Sequence, residues 1–243
     1  MQVRRLLLGA GLLGIMSATL SAAAISGTYN MSGIVTVTGS TITWQTDAPG
    51  NAADLFTLTG ATGSFTPFNN TQQTIDNLNI VAEPVGQTFA PVPFMVIGGL
   101  PTLNINMIYQ GTGDQNQCTA APTEPQNCTP NQFAVGGKSP FTFTNNPPPN
   151  NIQSTGTFTF SGVTSDNQSS WFAIFTTQFN TPFQTVLAAF GQGGSGQVTN
   201  SYSATTTVVV TPLPEPAPIG MLGAGLTLLA LWRVGYKRIR ARR

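Results

Sequence analysis

Two cysteines, Cys118 and Cys128, are the most reactive side chains of this chain, and nine residues separate them. An even count at short spacing in an exported chain implies one disulfide, closing a loop of about eleven residues and contributing roughly 3 kcal/mol by restricting the unfolded state. A metal or redox site fits poorly, because there is no Cys-x-x-Cys spacing and no histidine anywhere. The missing histidine also removes Ser-His-Asp and Cys-His catalysis and histidine-ligated zinc. A Ser-Lys pair would have to use Lys138, whose neighbour Ser139 would point to the opposite face of a strand.

Carboxylate chemistry is what remains. Glycoside hydrolysis needs only two acids at a set separation. The candidates are Asp47, Asp54, Asp76, Glu83, Asp114, Glu124 and Asp166, and none sits in an apolar strand with a second acid nearby in sequence. Asp114 in "DQNQC" and Asp76 in "DNLN" offer hard oxygen donors, so structural calcium is the one metal these loops allow. Neither completes an EF-hand. "GQGGSG" at 191–196 fits Gly-x-Gly-x-x-Gly nominally. The dinucleotide fingerprint needs a strand before it and a helix after it, and the order expected here is the reverse. The sequence therefore yields no catalytic set, no cofactor site and no metal cluster, and the protein is not expected to be an enzyme.

Charge is distributed unevenly. Between Ile25 and Leu213 Lys138 is the single cation against seven acids, a formal −6, although the whole chain sums to +1. Phosphate binding draws on Arg and Lys, so nucleic acid is excluded as a partner. The positive charge belongs to the two ends. Arg4 and Arg5, an apolar run over residues 6–20 and the small residues of "SAAAIS" have the order of a secretory signal peptide over residues 1–24.

The elements expected between the ends are strands. "GIVTVTG", "STITWQ", "DLFTLTG", "TLNINMIY", "STGTFTFSG" and "SYSATTTVVV" alternate apolar and small polar residues between Gly, Asn and Pro punctuation. In the last of them Tyr202, Ala204, Thr206, Val208 and Val210 share one face. Residues 25–211 thus read as one mainly β domain, an antiparallel β-sandwich or open barrel with one short helix over about 182–190. That helix has Thr181 and Gln184 at capping-box spacing, Pro182 at its first position and Gly191 at its stop. Residues 110–132, around the cysteines, and 144–151 read as long loops.

The last segment, 212–243, differs from the rest. Pro214-Glu215-Pro216 precedes a mostly apolar run over 217–232, about 24 Å long as a helix against a hydrocarbon core of roughly 30 Å. Arg233, Lys237, Arg238, Arg240, Arg242 and Arg243 follow, a cluster the positive-inside rule retains in the cytoplasm. This three-part order resembles the bacterial PEP-CTERM sorting signal. The resemblance covers only the tail. It implies that the membrane protease exosortase recognises the Pro-Glu-Pro motif and removes the tail, in bacteria with an outer membrane and extracellular polysaccharide. The expected partners are the export machinery, exosortase, transiently the inner membrane, and extracellular polysaccharide. The expected role is that of an envelope or matrix protein, structural or adhesive. The alternative is a carbohydrate-active enzyme using paired carboxylates.

Overall fold

The computed structural model describes residues 23–45, 54–123, 125–131, 139–146, 153–191 and 196–211. Residues 1–22 of the expected signal peptide, Lys138, Asp47, Glu124, the Pro214–Pro216 motif and the basic cluster lie outside the described residues.

Among the described residues twelve strands form one antiparallel sheet, and eight of them close into a barrel. Seven of the ring strands follow one another in chain order: β1 (Gly27–Val37), β3 (Leu55–Thr59), β4 (Thr71–Ile75), β6 (Thr88–Val96), β7 (Leu103–Ile108), β10 (Ser154–Thr164) and β11 (Ser169–Phe179). The eighth, β12 (Val198–Val210), pairs with β11 and closes on β1 from Gly27 opposite Val208 to Val37 opposite Val198. This is an up-and-down barrel, and closure leaves the ring without an edge. Four short strands are insertions: β2 (Thr41–Gln45), β5 (Leu78–Asn79), β8 (Gln126–Cys128) and β9 (Thr142–Asn145). The helix α1, Phe183–Gly191, links β11 to β12 and begins one residue later than expected.

Period two decides what fills the ring. Tyr29, Met31, Val35 and Val37 of β1 point inward while Thr28, Asn30, Ser32 and Thr36 point outward. The same alternation brings Phe158 and Phe160 of β10, Trp171, Ala173 and Phe175 of β11, and Tyr202, Ala204, Thr206 and Val208 of β12 inside. Val210, expected on that face, pairs with Ser169 but lies past the end of the β1 pairing and is exposed. An aromatic interior behind a hydroxyl-rich wall is the reverse of a membrane barrel, whose outer band is apolar. Among the described residues no helix is long and apolar enough to cross a membrane.

Trp44 plugs the ring from outside it. Strand β2 leaves β1 by a tight turn, in which Thr38 N–H donates to the Thr41 carbonyl at 2.9 Å, and folds back along β1. Trp44 then meets Phe175 at 5.0 Å and Tyr202 at 5.1 Å between ring centroids, with Phe94, Phe158 and Phe160 around it. Gly33 marks the fork where β1 passes from β3 to β2, and a Cβ there would lie 2.6 Å from the Gln45 carbonyl. Tyr29 is fully buried, its hydroxyl donating to Met95 Sδ at 3.4 Å, and burial holds its phenol well above the ordinary value.

The two excursions carry more structure than expected. Residues 110–132 contain a 3-10 turn at Gln115–Cys118 and the strand β8, and the 144–151 loop begins inside β9. Pairing of β8 with β9, and of β9 with β10, extends the sheet over this stretch.

Candidate functional site

The outer wall of β10, β11, β12 and β1 is built almost wholly of small polar residues. Cross-strand register sets Thr159 beside Ile174, Ser161 beside Phe172, and Thr205 between Ile174 and Asn30. Phe172 and Ile174 stand out from this field at 41% and 46% exposure, Val209 of β12 does so at 52% near the pole where the chain ends leave, and Tyr109, at 38%, joins Phe172 from the segment after β7. Tyr109 and Phe172 meet edge to face, with centroids 5.9 Å apart. Ser161 Oγ donates to the Tyr109 hydroxyl at 3.2 Å, which fixes the ring and leaves the phenol proton available. On the far side of Ile174, Thr205 Oγ1 donates to Asn30 Oδ1 at 3.0 Å.

Shallow grooves flank this ridge. One, of about 350 Å³, runs between Tyr109, Phe172 and the hydroxyls of Thr112, Thr142, Thr157 and Thr159. The other, of about 550 Å³, lies between Ile174, Thr176, Ser203, Thr205, Asn30 and Ser32. A third hollow, of about 20 Å³ among Val35, Val37, Phe141 and Phe143, has room for about one water. No charged side chain lines either large groove, and no cationic side chain occurs among the described residues.

The acids behave differently from their sequence spacing. Asp54 and Asp76, twenty-two positions apart, come together where β3 begins and β4 ends, because the strands pair from Leu55 opposite Thr74. Partial burial and then the Asp54 charge raise the Asp76 carboxyl above the ordinary carboxylate range. Partial burial also raises Glu83, partly offset by the Asn79 N–H that its Oε2 accepts at 2.6 Å. Asp54 is engaged structurally. Its Oδ1 accepts from Asn77 Nδ2 at 2.5 Å, while Asn77 Oδ1 accepts from the Trp44 N–H at 3.0 Å. Neither Asp54 nor Asp76 lines the three hollows described.

The loop residues read as calcium donors or nucleophiles also have local duties. Asp114 Oδ1 accepts from Asn116 N–H at 3.0 Å and caps the 3-10 turn. Among the described residues no group of three or more His, Cys, Asp or Glu could hold a metal. Ser139 is buried and accepts from Phe141 N–H at 3.3 Å. At the glycine-rich stretch, α1 ends at Gly191 and β12 begins at Val198, the helix-then-strand order expected.

Cys118 and Cys128 are bonded, with Cα atoms 5.1 Å apart, and a disulfide belongs to an oxidising compartment. Beside it lies an amide cluster that sequence spacing did not reveal. Asn145 Nδ2 donates to Gln126 Oε1 and to Gln184 Oε1, each at 3.1 Å, and Asn145 Oδ1 accepts from Phe183 N–H at 3.0 Å. Gln184 Nε2 donates to Gln126 Oε1 at 2.8 Å and to the Ala120 carbonyl at 3.2 Å. The expected capping box thus gives way: Gln184 bonds into the disulfide loop, and Asn145 serves the helix N-terminus.

No family model, curated protein or solved structure matches this chain. Function therefore rests on the chain's own residues.

Proposed function

We propose that this is an exported, C-terminally sorted protein of the bacterial envelope or extracellular matrix, with a structural, adhesive or polysaccharide-associated role and no catalytic activity. Residues 1–24 direct export, 25–211 are the working domain, and 212–243 are the sorting signal that exosortase removes after a transient stay in the inner membrane. The observation that carries this reading is the tail itself. Pro214-Glu215-Pro216, a 16-residue apolar run too short to span comfortably, and six basic residues follow one another in that order.

The fold supports it in two ways. The disulfide fits an oxidising destination. Both ends of the domain also leave from one pole of the barrel. Gly27 lies opposite Val208, Ser169 Oγ donates to the Ile25 carbonyl at 2.7 Å, and Thr211 N–H donates to the Gln168 carbonyl at 2.8 Å. A domain held at one pole presents its long wall and its opposite pole, with α1 and the disulfide, to the surroundings.

Intact-mass analysis of the protein from native cells tests the reading. The mature product should begin near Ile25 and end near Glu215. A product ending at Arg243 in cells with an active exosortase would reduce the tail to a membrane anchor.

The Asp54–Asp76 proximity favours a second reading, a glycan-cleaving enzyme using two carboxylates. Hydrolysis of any bacterial exopolysaccharide, abolished by Asp76→Asn, would establish it. The Asp54 bond to Asn77 and the position of both acids away from the grooves weigh against it.

A further inference from the structure

We infer that the outer wall of β10, β11, β12 and β1 is a binding face for an uncharged polysaccharide, with Tyr109, Phe172 and Ile174 as its platform. The inference deepens the polysaccharide-associated reading above and rests on it for the kind of polymer the protein meets.

Three features select this occupant. The first is shape. The ridge rises between two shallow open grooves of about 350 and 550 Å³, a relief suited to an extended chain lying across strands rather than to a small molecule enclosed in a pocket.

The second is charge. Both grooves are free of acids and bases, so neither a polyanion nor a polycation finds a counter-charge there. An anionic polymer would also meet a domain of formal −6. Hydroxyls and amides, in contrast, exchange hydrogen bonds with sugar hydroxyls without desolvating a charge. The Tyr109 phenol, steadied by Ser161, has its proton free to donate.

The third is area. Tyr109, Phe172, Ile174 and Val209 together expose on the order of 350 Å² of apolar surface, against roughly 450 Å² of apolar area per partner in a stable protein interface of standard size. That falls short of what a second copy of this chain needs, and Val209 lies apart from the other three, while the area is enough for the C–H faces of a few sugar rings on aromatic and aliphatic side chains.

The test uses the full chain, purified in detergent, in native gels cast with hydroxyethyl cellulose, dextran or alginate. At least one uncharged polymer should retard the protein, and alginate should not. Tyr109→Ala and Phe172→Ala should each weaken retardation about tenfold, equivalent to losing one aromatic contact, while Phe172→Trp retains it. All three side chains are substantially exposed, so unchanged melting temperatures separate lost binding from lost folding. Ile174→Lys gives a second check by placing a charge on the ridge, and it should also abolish retardation. Retardation by neither uncharged polymer, retardation that needs alginate, equal retardation of the alanine variants, or a dimer that Phe172→Ala dissolves would each overturn the inference. A tail retained at Arg243 would instead overturn the sorting reading and leave this binding intact.

Discussion

Asn77 holds Trp44 by its backbone: the Trp44 N–H donates to Asn77 Oδ1 at 3.0 Å, across thirty-three positions of chain. Asp54 completes the clamp. Its carboxylate accepts a hydrogen bond from Asn77 Nδ2, and its own N–H donates to the Trp44 carbonyl at 2.9 Å. Asp54 reaches this position with φ +67°, a left-handed conformation that Asn and Asp tolerate better than most residues. Strand β2 lies outside the ring, so these bonds, with its pairing to β1 and β5, fix the tryptophan that plugs the barrel.

Asn77→Ala should therefore cost about 1–2 kcal/mol, the cost of leaving a partly buried N–H without its acceptor. Urea titration followed by tryptophan fluorescence measures it. A variant within error of wild type would mean that the clamp contributes nothing to holding β2.

The acid pair predicts an unusual pH dependence. The folded-state pKa of Asp76 is raised by burial and then by Asp54, and that of Glu83 by burial. For a carboxyl with a raised folded pKa, the folded state binds the proton more tightly. Its stabilising contribution is full below the ordinary carboxylate range and is lost as pH rises through the raised value. Asp76→Asn should thus raise the melting temperature at pH 7, and the gain should vanish in acid. A gain that is equal at both pH values would assign the effect to something other than ionisation. Asp76 is largely solvent-accessible, so the expected change is small.

Much of the barrel was legible in the sequence, for a physical reason. A wall buried on one side imposes period two, and each of the six alternating segments named from sequence lies on a strand: β1, β2, β3, β7, β10 or β12. Strand β11 escaped because "WFAIF" is apolar on both faces, the outward Phe172 and Ile174 hiding the alternation. Strand β6 escaped because Pro91 and Pro93 argue against a strand interior. The structure accommodates them with register shifts between Thr88 and Val92 and between Pro93 and Met95. Closure into a ring depends on the β1–β12 pairing between the two ends of the domain, which no local pattern encodes. The candidate face was hidden for the same reason. Tyr109, Phe172 and Ile174 come together only once β7, β10 and β11 are adjacent, and so do Asp54 and Asp76 once β3 pairs with β4.

The disulfide gives a third prediction. Alkylation of denatured, unreduced protein should label neither Cys118 nor Cys128. Reduction should lower stability by up to roughly 3 kcal/mol, the chain-entropy value for a loop of this size. The loss should be smaller if the β8–β9 pairing and the amide cluster restrain the reduced loop. Comparing urea midpoints of Cys118→Ser/Cys128→Ser and wild type measures it, and a double variant more stable than wild type would contradict the prediction.

The amide cluster gives the last. Asn145 is 2% exposed and serves three elements at once: Phe183 at the start of α1, Gln126 on β8, and the Thr123 carbonyl at 3.4 Å in the disulfide excursion. Removing it leaves a helix N–H without its acceptor and two glutamine oxygens short of a donor, beside a hollow of about 280 Å³ lined by Thr123, Asn145 and Pro182. Asn145→Ala should cost about 2–4 kcal/mol, since several groups lose partners together. Gln184→Ala alone should cost less, because Gln126 retains Asn145 and the Gln117 carbonyl, 3.3 Å away. If the three amides act as a unit, the double variant should cost less than the sum of the single ones, by about 1 kcal/mol or more. Hydrogen exchange localises the effect: Asn145→Ala should deprotect both the first turn of α1 and residues 115–128, although they lie more than fifty positions apart in sequence. Strict additivity, or deprotection confined to α1, would show that the disulfide bond holds the excursion without the cluster.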